Sequence, residues 1–416
     1  MTLNLRYEGS SKFYSNRWGL FPGISAGWRI SSEKFMRDVR GVDDLKLRVS
    51  YGTTGNQGFS TNTAYRMYSK DSWTYYNGQW LTVYGLMHNQ NRDMKWEIKK
   101  EFDVGLDFSL FNRRLSGRMD YFSRKIEDAI YSGIPVASPP AVYSTSTVNI
   151  GDITNKGFEF ELNGRVVDTR DWTFDTSLVG SFVGKSRLEG MAKDTHMEFQ
   201  PMPHGGGSAV RIFGGQEIGR YFLYRFAGVR EEDGTPMIYS KDNKVIPYAS
   251  GTDEDRVQTG NGLPKAVLSW NNTVRYRNWD LNLFFRSWLG QDVYNVTDMI
   301  QGVNCKITEG QNLLRTAYRR NKAISNTDRL MLLDYWLEKG DFLKLDAVTL
   351  GYTLPRNKIK YVEKLRCYFT VRNVCTLTGY SGLDPEVNVN GLAPGFEGMS
   401  QYPRTRSFIL GIEIGF

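Results

Sequence analysis

Apolar and polar residues alternate with a period of two in segment after segment of this chain. That spacing places residues i and i+2 on one face of a strand. Phe102, Val104, Leu106, Phe108 and Leu110 alternate with Glu101, Asp103, Gly105, Asp107 and Ser109. Phe158, Phe160, Leu162 and Val166 alternate with Glu159, Glu161, Asn163 and Arg165. The same reading groups Trp172, Phe174, Leu178 and Phe182, then Leu268, Trp270, Val274 and Tyr276. Trp279, Leu281, Leu283 and Phe285 oppose Asp280, Asn282 and Arg286, while Leu365, Cys367, Phe369 and Val371 oppose Arg366, Tyr368, Thr370 and Arg372. Further strands are expected over Met1–Tyr7, Leu20–Ile30, Leu45–Tyr51, Leu115–Arg124 and Phe342–Leu354, with a bulge near Ala347 where the alternation slips. The final ten residues put Phe408, Leu410, Ile412, Ile414 and Phe416 on one wholly apolar face that ends in an aromatic.

Phe111–Arg114, Asp168–Asp171 and Arg277–Asn278 are tight polar turns, whereas Thr53–Ile98, Glu127–Asn155, Lys185–Pro264, Leu289–Asp341 and Thr376–Thr405 are long and polar. Strict alternation of short and long connections is expected of an up-and-down membrane barrel, with small turns at one end and large loops at the other. A soluble sandwich has no reason to alternate them. The fold expected is therefore all-β: an antiparallel, up-and-down transmembrane barrel wall of about twelve strands of membrane-crossing length. It either closes on itself or forms an open, curved sheet with Met1–Tyr7 as an unpaired edge. Asp103, Asp107, Glu159, Glu161, Arg165, Arg366 and Arg372 are assigned to the lumen face, and the terminal set Phe408–Phe416 to the lipid face as a membrane-assembly signal.

Composition narrows the class further. The chain has 416 residues, 14% aromatic, with 24 Tyr, 23 Phe, 10 Trp and 42 Gly. No run approaches the ~18 apolar residues of a spanning helix. Three cysteines (Cys305, Cys367, Cys375) are too few and odd in number for a disulfide framework. The formal charge of +8 is scattered rather than gathered into a stripe, which argues against nucleic acid as a partner. No charged and apolar leader opens the chain, and Met1–Tyr7 already alternates as a strand.

Several strings resemble the SusC/RagA family of TonB-linked outer-membrane transporters. They are LKLRVSYGTTGNQ (Leu45–Gln57), KWEIKKEFDVGLDFSLFNRRLSGRMDYFSRK (Lys95–Lys125) and GDFLKLDAVTLGYTLP (Gly340–Pro355). LRCYFTVRNVCTLTGYSGLDPEVN (Leu365–Asn388) and YPRTRSFILGIEIGF (Tyr402–Phe416) continue the series in family order. The resemblance implies that residues 1–416 are the C-terminal part of such a barrel, without the plug domain and signal peptide. It implies an outer-membrane importer of oligosaccharides or peptides, a SusD-like surface lipoprotein over the long loops, and energy from the TonB complex acting through the missing plug. It implies no enzyme activity and no cofactor. A porin-like or structural barrel, or a surface β-rich binding protein, are the competing readings. Many family members carry an acidic D-x-N-x-D-G loop. Here Gly251–Arg256 (GTDEDR) offers only Asp253 and Asp255 with no following glycine, so no calcium site is expected.

Gly23–Gly27 (GISAG) matches a nucleophile elbow formally, and His204–Gly207 reads HGGG. An elbow needs a strand, a sharp turn and a helix, but the alternation continues through Trp28–Ile30, so Ser25 is expected mid-strand. His88, His196 and His204 lie in expected loops without metal-ligand spacing. Trp73, Tyr75, Tyr76 and Trp80 cluster in Lys70–Leu81 and are candidate contacts for a sugar or for a partner, or they pack the loop itself.

Overall fold

The computed structural model describes all residues except 138, 192–195, 202–207, 304–311, 325–330, 356–361 and 399–400. Its frame is one antiparallel sheet. The twelve main strands are β1 (Thr2–Gly9), β2 (Trp18–Arg29), β3 (Val42–Asn56), β4 (Glu97–Leu110), β5 (Leu115–Glu127), β6 (Asp152–Asp168), β7 (Trp172–Val183), β8 (Ala266–Tyr276), β9 (Trp279–Leu289), β10 (Phe342–Thr353), β11 (Lys364–Thr378) and β12 (Ser407–Gly415). They are neighbours in simple chain order, and a short thirteenth strand, Arg187–Glu189, pairs with the start of β6. The meander order and the strand count agree with the sequence pattern. Among the described residues, β1 pairs only with β2 and β12 only with β11, so the sheet is open, with a free edge at each end.

The register fixes which residues share a face. Val104 lies opposite Val49 and Tyr121, Phe158 opposite Tyr121 and Phe182, and Phe369 opposite Leu350 and Leu410. One side of the sheet is thus predominantly apolar, interrupted where Thr176 donates to Asn272 at 2.8 Å, and it is exposed: Leu5 is 70%, Leu410 81% and Phe416 86% accessible. Water does not favour such a surface, whereas the hydrocarbon of a bilayer does. Trp172 packs on Tyr276 at 4.4 Å and Trp279 on Tyr352 at 4.8 Å, grouping aromatics at the short-turn end of the wall as in the girdles of membrane barrels. Cys367, opposite Ile412 and exposed, belongs to this face. The expected bulge is present, with the β9–β10 and β10–β11 registers shifting around Asp346. A second bulge, between Arg165 and Val167, displaces Val166 from the Phe158–Leu162 row and puts Val167 opposite Phe174 instead.

Strict alternation of connection length does not hold throughout. Residues 30–41, at the short-turn end, contain two 3-10 turns, Ile30–Ser32 and Lys34–Met36, and exceed the connection 10–17 at the opposite end. The long connections are themselves folded. Residues 57–96 contain a separate hairpin, Tyr68–Tyr76 with Gln79–Leu86, and residues 128–151 contain another, Ile130–Pro135 with Thr145–Asn149. Residues 184–265 form a six-stranded sheet, and a small sheet unites Asp292–Asn295, Leu337–Lys339 and Phe396–Glu397. A short helix, Val296–Gln301, follows, its Asp298 N–H capped by the Asn295 side chain at 2.9 Å. Trp336, Tyr221, Tyr294, Leu223, Ile238 and Met299 are fully buried in one shared core. The main hydrophobic core of this molecule therefore lies in its loops, because the wall turns its own apolar side outward.

Candidate functional site

The polar side of the sheet is built from charges paired across strands. All seven residues assigned to it from sequence lie on it by register. Asp107 on β4 accepts from Arg48 Nε on β3 at 2.9 Å, and the same guanidinium reaches Asp120 on β5 at 2.7 Å. That second contact crosses β4 over Gly105, where a Cβ would lie 2.2 Å from the Asp120 carboxylate and 2.5 Å from Arg48 Nη2. The device recurs at Gly351 on β10, which leaves room between Asp280 on β9 and Arg366 on β11, 2.6 Å apart. Glu161 pairs with Arg118 at 3.1 Å and Arg165 with Asp175 at 3.0 Å. Glu159 accepts from the Ser181 hydroxyl at 3.4 Å. Asp103 and Arg372 have no ion-pair partner among the described residues, and Arg372 is exposed. The sequence reading missed the two glycines because a missing side chain gives no signal until the neighbouring strands are in register.

Toward the long-loop end a second cluster binds loop to wall. Lys344 on β10 is 1% exposed and donates to Asp384 and Glu386, each at 2.8 Å. Arg286 on β9 reaches Glu386 at 2.8 Å and Asp346 at 3.2 Å, while Arg404 reaches Asp384 at 2.7 Å and Glu386 at 3.1 Å. Three cations thus face three carboxylates. Burial pushes the Glu386 carboxyl up, but hydrogen bonds from Arg286 and Lys344 outweigh it and hold it below the usual range. Deeper in the loop core, the Tyr221 hydroxyl lies 2.9 Å from the Asp292 carbonyl and 2.8 Å from that of Gly395. Burial raises that phenol well above its ordinary value, so it stays a donor. This one hydroxyl joins the segments 184–265, 290–341 and 379–406.

The aromatic group is rearranged relative to expectation. Its residues lie on a two-stranded hairpin rather than in a loop, with the turn at Asn77 (φ 48°) and Gly78 (φ 83°). Tyr75 faces Trp80 across the strands and Trp73 faces Thr82, so these aromatics share a side, while Tyr76 opposes Gln79 on the reverse side. Tyr68 and Tyr84, missed from sequence, join the first side through the register Tyr68 to Leu86 and Lys70 to Tyr84. The bulge at Asp71 obscures this alternation in the sequence.

Other candidates resolve locally. Ser25 lies within β2, opposite Thr2 and Ser50, so no elbow exists there. The HGGG string, with His204, and Cys305 lie outside the described residues. His196 lies in a strand rather than a loop, and His88 Nε2 lies 2.9 Å from the Asn62 carbonyl. Asp253 pairs with Arg211 and Arg256, and Asp255 accepts from Thr252 and the Lys241 N–H.

Comparison with known proteins gives one answer. The model of the TonB dependent receptor-like β-barrel family matches residues 1–374. TonB-dependent receptor P3 of Formosa agariphila is 28% identical over all of this chain and 44% of its own length. TonB-dependent receptor SusC of Bacteroides thetaiotaomicron is 28% identical over all of this chain and 42% of its own. The solved RagAB peptide transporter superposes with a TM-score of 0.81 at 20% identity, over all of this chain and 45% of that one. This chain spans less than half the length of the relatives it matches. The wall with one lipid-ready face and one ion-paired face is that of an outer-membrane barrel, and the chain belongs to the TonB dependent receptor-like β-barrel family.

Proposed function

We propose that this chain forms the later part of the barrel of an energised importer of large nutrients, oligosaccharides or peptides. A SusD-like surface lipoprotein delivers the cargo, and the TonB complex supplies the work through a plug borne by the rest of the protein. The observation that carries the reading is the polar face, where pairs such as Arg48–Asp107–Asp120 and Arg366–Asp280 satisfy charges across strands. Such a surface is wettable without a strong field of either sign, which suits passage of bulky polar cargo. The folded loops at one end supply a broad platform for a partner. RagAB is described as a peptide transporter, which supports that cargo class, while the SusC likeness leaves the oligosaccharide class standing. The test is uptake of a fluorescent oligosaccharide and a fluorescent peptide by cells carrying the full-length receptor and its lipoprotein, with and without functional TonB. Uptake of one cargo that vanishes without TonB is expected. Equal uptake without TonB would reassign the protein as a porin-like barrel.

A further inference from the structure

The connections at the two ends of the wall differ in charge. The five short ones, residues 30–41, 111–114, 169–171, 277–278 and 354–363, carry ten basic side chains against four acidic ones. They therefore hold six of the chain's eight net positive charges. The twelve strands balance basic against acidic residues, and the far longer connections at the other end hold only the remaining two charges. A charge scattered along the sequence is thus gathered at one end of the sheet by its meander order. Exposed apolar groups lie at the same end. In residues 30–41, Phe35 is 64% and Val39 44% exposed. Lys34, Arg37 and Arg40 beside them are exposed and have no ion-pair partner among the described residues. Lys34 and Arg37 stand three apart across the 3-10 turn Lys34–Met36, a spacing that stacks side chains on one side. We propose that the connection 30–41 seats in the periplasmic leaflet of the membrane, where its three cations bind the phosphate of an anionic glycerophospholipid.

Two observations favour lipid over a soluble acidic partner. The first is continuity with the lipid face. Trp28, opposite Leu47 on the apolar side, donates from Nε1 to Glu33 at 2.9 Å and so ties the connection to that side. This engages Glu33 and leaves Asp38 as the other acidic residue facing three cations. The neighbouring turn is joined to the connection, since the Phe111 N–H donates to the Gly41 carbonyl at 2.9 Å. A Cβ on Gly41 would come 3.4 Å from the Phe111 ring, which is itself 58% exposed. Phe111, Asn112 and Arg113 all have φ between 57° and 62°, a left-handed run that non-glycine residues rarely adopt in succession. The Asp43 carboxylate holds it by accepting from the Arg113 N–H at 2.8 Å. The second observation is the mixture itself. Charge alone would suit any acidic partner, but Phe35, Val39 and Phe111 remain exposed beside a wall that already meets hydrocarbon. An interfacial segment satisfies both needs, with apolar groups at the acyl boundary and cations at the phosphates. Short turns of such barrels face the periplasm, where the leaflet is phospholipid.

The experiment uses the full-length receptor, purified from outer membranes in mild detergent and offered an equal mixture of phosphatidylglycerol and phosphatidylcholine. Native mass spectrometry counts the lipids retained per receptor. The wild type should retain phosphatidylglycerol several-fold over phosphatidylcholine, less so when loaded at higher salt. Lys34→Gln with Arg37→Gln and Arg40→Gln, which alters only exposed side chains, should bring the two lipids close to parity. Lys244→Gln with Lys322→Gln, exposed cations of the long connections, should leave the preference unchanged. Heat-sensitive gel mobility should show equally folded receptor in all. Equal retention of both lipids by the wild type, or a preference that survives in the triple variant, would overturn the proposal. Retention of polyglutamate in place of phosphatidylglycerol, lost in the triple variant, would assign the surface to an acidic protein and overturn it as well.

Discussion

Neighbouring residues on one strand face opposite solvents, and single substitutions read this directly. Leu106 lies opposite Leu47 and Met119 on the apolar face, while Asp107 turns to Arg48 on the other. Leu106→Arg should destabilise the barrel by about 2–4 kcal/mol if the site lies near the bilayer midplane. Asp107→Asn should cost no more than about 1 kcal/mol, because its pair with Arg48 is partly exposed and Asp120 still holds the guanidinium. Urea unfolding of the receptor in vesicles measures both, and equal costs would deny the two-solvent arrangement. Lys344 is a different case, since it is buried. Lys344→Met leaves Asp384 and Glu386 with only the two arginines and should cost about 3 kcal/mol, seen as faster proteolysis of residues 379–406.

Elements add constraints that no single residue carries. β12 has Phe408, Leu410, Ile412 and Ile414 on the lipid side and Glu413 on the other, where Lys364 reaches it at 2.7 Å. A glycine inserted before Phe408 moves every later side chain to the opposite face, exposing Glu413 to hydrocarbon. That insertion, or deletion of Phe416, should lower the folded fraction in outer-membrane preparations, judged by heat-sensitive gel mobility. Wild-type amounts in both would show that the terminal pattern is incidental. The ion-bound loop makes a pH prediction. The Glu386 carboxyl lies below its ordinary value when folded, so its contribution to stability is complete above about pH 4.3 and fades as pH falls through the depressed folded value. Hydrogen exchange of residues 379–398 should therefore be unchanged between pH 7 and pH 5 and accelerate only in stronger acid, after correction for intrinsic rates. Acceleration already at pH 5 would contradict the assignment.

At the scale of the molecule, the free edges of β1 and β12 matter most. Each unpaired backbone group in hydrocarbon costs several kcal/mol, so an open sheet cannot remain in a bilayer by itself. The 416-residue chain refolded alone into vesicles should give no heat-sensitive monomer, whereas the full-length receptor should. A stable heat-sensitive monomer of this chain would mean that the sheet closes on itself.

The sequence by itself determined the strands, their order, the two faces and the bulge near Ala347, because a period of two is a local property and a wall between lipid and water writes it strongly on every strand. It also placed the seven polar-face residues, since facing follows from parity alone. What tertiary structure decided is whatever depends on which strands meet. The Arg48–Asp120 and Asp280–Arg366 contacts need glycines to align on the intervening strand. The Lys344 cluster pairs residues up to 100 positions apart in the chain. The loop core depends on three separate connections packing together through Tyr221. The aromatic hairpin was partly legible: the bulge at Asp71 hid Tyr68 from the alternation, and only pairing across the turn showed that Tyr75 and Trp80 share a side that Tyr84 joins and adjacent Tyr76 leaves.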